Sequence, residues 1–216
     1  MQKREENISI IKEACVETVS EAVLAEQRGA HRIELCSSLL YDGLTPPTKT
    51  IEKVIKSLSI PIKVMIRPRK GNFIYNEKEL VEMESKINMC KILGINEVVF
   101  GILKSDYNID YLSMERLVKK AYPMSVTFHK AIDIVSDIKN AIERLIPITG
   151  ITSILSSGGK DTAYNGKQHI KDIINSFGNR FNIIAAGSIT EKNFDVIHDY
   201  IRANEYHGRK IVGTLI

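Results

Sequence analysis

Cys15 and Cys36 each stand two positions after a glutamate, Glu13 and Glu34. As soft thiolates the two would select Cu(I); as buried free cysteines they would instead pack as small hydrophobes. Neighbouring strands lie about 4.8 Å apart, so two thiolates at the same height on such strands would bridge one Cu(I) linearly. Cys90 falls in a helical pattern and reads as core packing. A second set of residues suits a small anionic substrate. Arg67 would clamp a carboxylate or phosphate with paired N–H groups, and Arg69 in the adjoining loop points either to that substrate or to solvent. His129 ordinarily titrates near neutrality, which suits a general acid or base. Glu13 or Glu34 would orient it or act as the second acid–base group. Asp133 belongs either to this set or to the cap of the helix that follows. Three glycine-bearing stretches, "SSGGK", "AAGSIT" and "YHGRK", add Ser156, Gly158, Gly187, Ser188, His207 and Gly208 as substrate or anion contacts, because loops after late barrel strands bind anions through backbone N–H groups.

Hydrophobic periodicity places these residues on alternating strands and helices. Strands are expected at 9–16, 31–37, 60–68, 97–103, 124–130, 152–158 and 181–187, and a short eighth within "EYHGRKIVG". Seven helical patterns lie between them. Thr48 or Thr50 opens the second helix, and the fifth covers "DIVSDIKNAIERL". No linker interrupts the series, so residues 1–216 read as one domain, a (β/α)8 TIM barrel. The first strand–helix turn, "ACVETV", has no glycine, which argues against a doubly wound dinucleotide fold. The last helix is short or missing, because the chain ends soon after the eighth strand. The apolar seam this leaves would be covered by the N-terminal segment or a second copy, hence a homo-oligomer.

Side chains alternate across a strand. Ala14, Val16, Ile33, Leu35, Val64, Ile66, Val126 and Phe128 form one set, which must lie under the helices. Glu13, Cys15, Glu34, Cys36, Lys63, Met65, Arg67, Ser125, Thr127 and His129 form the other, which must point into the barrel. Barrel chemistry sits at the C-terminal mouth, which favours Cys36, Arg67 and His129 as site residues. Glu13, Glu34 and Lys63 lie deeper and also suit a buried ion network without chemistry. Lys130 has the wrong parity for a Schiff-base lysine.

Composition excludes several classes. The chain has 216 residues, 44% hydrophobic and 26% charged, with a net charge of +4 spread without a basic block. A nucleic-acid partner is therefore not indicated. Three cysteines make no disulfide framework. The N-terminus has no apolar leader core, and no apolar run reaches the roughly 18 residues of a membrane helix, so a cytoplasmic location is expected.

The stretches "HRIELCSSLLYDGLTPP", "VMIRPRKGNFIYNEKEL", "EVVFGILKSD", "VTFHKAID", "ILSSGG" and "IIAAGSI", in this order over nearly the whole chain, together resemble the CutC family. That resemblance implies a (β/α)8 barrel in cytoplasmic copper homeostasis, with Cu(I) held by cysteines near the mouth and no organic cofactor. It matches the family's strand-one cysteine to Cys15 and its "ELC" cysteine to Cys36. Its arginines fall on Arg67 and Arg69, and its histidine and aspartate on His129 and Asp133. Lys130 stands where the family often has arginine, and the chain ends earlier than many members. The function expected is copper homeostasis. The alternative is a lyase, isomerase or hydrolase acting on a small anionic molecule.

Overall fold

The computed structural model describes residues 10–215. Eight parallel strands close into a barrel in sequence order, β8 pairing with β1. The strands are β1 (Ile11–Val16), β2 (Arg32–Leu35), β3 (Ile62–Met65), β4 (Glu97–Phe100), β5 (Ser125–Phe128), β6 (Ile151–Ser156), β7 (Asn182–Ala185) and β8 (Glu205–Gly208). Seven α-helices lie between them: α1 (Val19–Gln27), α2 (Thr48–Ser57), α3 (Glu77–Ile92), α4 (Tyr111–Ala121), α5 (Ile138–Glu143), α6 (Ala163–Phe177) and α7 (Phe194–Ile201). The TIM-barrel reading thus holds. Local chemistry sets the helix starts. Thr18 and Asn76 each accept a bond from the backbone N–H three residues on, while Glu21 and Glu79 reach back, forming capping boxes for α1 and α3.

Several boundaries differ from expectation. Neither Thr48 nor Thr50 caps α2. Pro47 holds the cap position, because its fixed φ suits the start of a helix. The expected helix over 133–145 is broken into a 3-10 turn at Lys130–Ile134 and a short α5 capped by Asp137. Asp133 therefore lies inside the turn and caps no α-helix.

Parity organises the core. The outward set, Ala14, Val16, Ile33, Leu35, Val64, Ile66, Val126 and Phe128, is fully buried in one apolar cluster under the helices. Inside the barrel are two small apolar clusters, Cys15–Cys36–Met65–Val99 and Leu155–Ile184–Ala186. Below the first lies a layer of charge. Lys63 Nζ is 2.7 Å from Glu97 and 3.4 Å from Glu13, and donates to Thr127 Oγ1 at 2.9 Å. Arg32 pairs with Glu13 and with Glu205, the latter at 2.6 Å.

Among the described residues no helix follows β8. The closing segment does that work itself. Ile211, Val212 and Leu215 are buried in the main apolar cluster, and Arg28 at the end of α1 donates to the Thr214 carbonyl. This removes the reason given for a homo-oligomer, an uncovered seam. The N-terminal segment once considered as its cover lies outside the described residues.

Lys63 is 1% exposed and faces the buried Glu13 and the half-buried Glu97 carboxylates. Lys63→Met fits the space but leaves Glu13 and Glu97 with less compensation, and should cost about 3–5 kcal/mol in urea unfolding. An unchanged midpoint would mean that the layer contributes nothing net.

Candidate metal centre at the barrel mouth

Cys15 and Cys36 meet even though they are not register partners. Cys15 lies opposite Glu34, and Cys36 follows two positions later, its N–H bonded to the Val16 carbonyl. The two sulfurs are 3.8 Å apart. Two metal–sulfur bonds of about 2.3 Å ending on sulfurs 3.8 Å apart meet at about 110°. The linear bridge expected from the sequence would require about 4.6 Å, so the offset in height makes the pair bent.

Two carboxylates and a histidine surround the sulfurs. Glu34 Oε1 accepts from the Cys36 thiol at 3.3 Å, while buried Glu34 Oε2 has no hydrogen-bond partner. His207 Nδ1 is 2.8 Å from Glu13 Oε1 and 3.8 Å from Glu34 Oε2. Burial alone would raise the Glu13 pKa, but Lys63, His207 and Arg32 hold it well below the usual carboxylate range. Burial pushes Glu34 up to about 7, with His207 pulling the other way. Burial would lower His207, but the Glu34 carboxylate, Cys15 and Glu13 outweigh it and hold the imidazole well above its ordinary value. The hydrogen bond from Cys36 brings Cys15 down to about 6 against the cost of its burial, with help from His207. The same bond and burial push Cys36 well above the thiol range. Cys15 is therefore the more readily ionised of the two thiols.

The acid–base role expected of His129 does not fit its surroundings. Burial, with Arg67 nearby, lowers it to about 3, so it is neutral at physiological pH. Its Nδ1 accepts from the Ala131 N–H at 3.2 Å, which places the ring proton on Nε2, an atom without a partner. Its ring packs 4.6 Å from Phe73, in space that Gly101 leaves open: a Cβ there would lie 2.8 Å from Nδ1. His129 is a neutral hydrogen-bond donor.

The anion clamp is also occupied. Arg67 donates through Nη1 to the carbonyls of Tyr41, Asp42 and Gly43, and through Nη2 to that of Gly71. It ties the loop after β2 to the loop after β3, and only Nε is without a partner. Arg69 is held by Glu79 and the Ile74 carbonyl, away from the mouth cavity.

Asp133 binds the loop that was expected to bind anions. Its carboxylate accepts from the Ser156 hydroxyl at 2.6 Å, from the N–H and hydroxyl of Ser157, and from the Gly159 N–H. Ser156 and Gly158 are thus tied to this turn, Gly158 N–H donating to Ser156 Oγ. Gly208 permits close backbone approach, since a Cβ there would meet the Ile189 carbonyl oxygen at 2.2 Å. Gly187 and Ser188, both with positive φ, line the cavity beside Gly208. The cavity measures about 830 Å³, and Cys15, Glu34, Cys36, Arg67, His129 and His207 also line it. Cys90 lies apart from it, buried in α3. Sequence reasoning missed Arg32, Glu97 and Glu205, whose strand parity (that of Glu34, Val99 and His207) was the available signal.

This is a (β/α)8 barrel whose mouth carries a thiol pair beside a carboxylate and a carboxylate-bound imidazole. Residues 10–212 match the CutC family, and the chain belongs to that family. It is 40% identical over 197 residues to the mouse copper homeostasis protein cutC homolog, covering 91% of this chain and 72% of that protein. A CutC family protein of Histophilus somni is 35% identical, covering 90% of this chain and 80% of the relative. The crystal structure of CutC from Streptococcus agalactiae superposes with a TM-score of 0.89 at 32% identity, covering 94% of this chain and 99% of that one. Phosphoribosylanthranilate isomerase of Thermotoga maritima, at 12% identity and a TM-score of 0.56, shares the fold alone.

The lowered basicity of His129 has a consequence for stability. The unfolded chain takes up its proton near 6.5 and the folded chain not until about 3. The stability due to the neutral ring is complete above 6.5 and falls as pH drops toward 3, by up to about 5 kcal/mol over the whole interval. Between pH 7 and 4.5, urea unfolding should show the native chain losing several kcal/mol more than His129→Gln. Equal losses would place His129 in a more solvated setting.

Proposed function

We propose that this protein binds Cu(I) through Cys15 and Cys36 at the C-terminal mouth of the barrel and serves copper homeostasis in the cytoplasm. The observation that carries this reading is the 3.8 Å approach of two buried sulfurs, beside which the Cys15 thiol is lowered to about 6. Thiolates are the donors that select Cu(I), and a ready thiolate lowers the cost of losing protons on binding. The relatives named for copper homeostasis support the same reading. Cys36 must lose its proton when the metal enters, so affinity rises with pH.

A second reading is favoured by the size of the cavity. About 830 Å³ is far more than an ion needs and lies within the range of small-molecule sites. A lyase, isomerase or hydrolase acting on a small anionic substrate would then use Glu34 and His207 as its acid–base pair, with His129 as a neutral donor to the substrate.

Anaerobic Cu(I) titration against a chromogenic chelator separates the two. The native chain should bind one Cu(I), and Cys15→Ser combined with Cys36→Ser should weaken it at least about a hundredfold, since losing first ligands costs more than losing their outer partners. Cys90→Ser should change nothing. Binding unaffected by the double substitution would leave the two cysteines as packing and turn the case to the enzyme reading.

A further inference from the structure

The mouth presents three metal donors, not two. Cys15 Sγ, Cys36 Sγ and a Glu34 carboxylate oxygen all lie within 4.8 Å of one another. Glu34 is 3% exposed, and its Oε2 has no protein donor. A carboxylate oxygen buried without a partner is costly unless a cation or a proton answers it. A second set, Glu13, Glu34 and His207, also lies within 4.8 Å. That set is already satisfied, because Glu13 is bound by Arg32, Lys63 and His207. The free donors are therefore the two sulfurs and Glu34.

Angle and charge both bear on the ion these donors take. The bend of about 110° between the two metal–sulfur bonds is close to the tetrahedral angle. Two thiolates and a carboxylate carry three negative charges. A monovalent ion would leave two of them in a buried site, a divalent ion only one. His207, fixed by Glu13 2.8 Å away, stands within 3.8 Å of Glu34 to offset the remainder. Three protein ligands with the fourth side facing a cavity is the arrangement of open zinc sites, whose fourth ligand is water or a small anion.

We propose that the mouth also takes a tetrahedral divalent ion, Zn(II), on Cys15 Sγ, Cys36 Sγ and the Glu34 carboxylate, with the fourth position open to the cavity. This rests on the reading above that both sulfurs ligate metal, and it adds Glu34 as a ligand that discriminates between ions.

The test is an anaerobic titration of the reduced, metal-free full chain with Co(II) as the spectroscopic stand-in for Zn(II), run beside the Cu(I) titration. The expected result is one Co(II) per chain with thiolate-to-cobalt charge-transfer bands and the intense d–d bands of a tetrahedral ion. Zn(II) should bleach them, and azide should shift the d–d bands by entering the open position. Glu34→Gln, checked by thermal melting to be folded, should weaken Co(II) at least about tenfold and weaken Co(II) far more than Cu(I). Cys36→Ser should cut the charge-transfer intensity by at least about half, and Cys15→Ser combined with Cys36→Ser should abolish it. Cu(I) binding without tetrahedral Co(II) would overturn this inference and leave the copper reading standing. Failure of both ions would overturn both. Octahedral Co(II) bands insensitive to either substitution would mean surface binding only and would also overturn it.

Discussion

A carboxylate with no solvent contact holds the interior of this barrel together. Glu13 is completely buried, and an uncompensated charge there would cost several kcal/mol. Three cationic groups from three strands answer it: Arg32 on β2, Lys63 on β3 and His207 on β8. Two of these reach further, Lys63 to Glu97 on β4 and Arg32 to Glu205 on β8. One side chain on β1 thus fixes the lower layer of the barrel and, through His207, the state of the thiols above it. The site inherits its electrostatics from this layer. Glu34, one strand away and 3.8 Å from His207, stands at the opposite end of the carboxylate range.

The polar residues that look most catalytic in the sequence serve mainly to hold loops. Arg67 gives its terminal amines to four backbone carbonyls in two loops, and Asp133 gathers two serine hydroxyls and two N–H groups of the β6 loop. Loop backbone at the mouth of a barrel leaves polar groups without ladder partners, and these must be satisfied somewhere. A buried arginine over Phe73 and an aspartate in the turn do so from side chains. What these ties achieve is a cavity of fixed shape, into which the thiol pair, Glu34 and His207 face.

Much of this was legible in the sequence, for a physical reason. Strand parity has a period of two, so a single glutamate–cysteine spacing assigns both residues to the inside, and the apolar run of Ile33 and Leu35 assigns itself to the helix side. Eight such units in alternation admit the closed barrel and little else. Parity says nothing about height or about loops. It could not show that Cys36 sits above Cys15, because register between strands depends on tertiary pairing. Nor could it show that Asp133 turns back to the β6 loop or that Arg67 is caged by carbonyls, since both depend on the path of irregular backbone. His207 was noticed for the glycine beside it. Its importance comes from Glu13, nearly two hundred residues away in the chain.

The asymmetry of the two thiols follows from the same offset. With Cys36 one step higher, it donates toward Glu34 and toward Cys15, while Cys15 lies beside the imidazole that Glu13 holds charged. Cys15 is therefore the more readily ionised thiol, and Cys36 the one that keeps its proton. Under the proposed metal role, an ion entering from the cavity would replace that proton, and its positive charge would answer the Glu34 oxygen that has no hydrogen-bond partner. The buried charge that makes Glu13 costly to fold thus also acts, through His207, on the thiol pair above it.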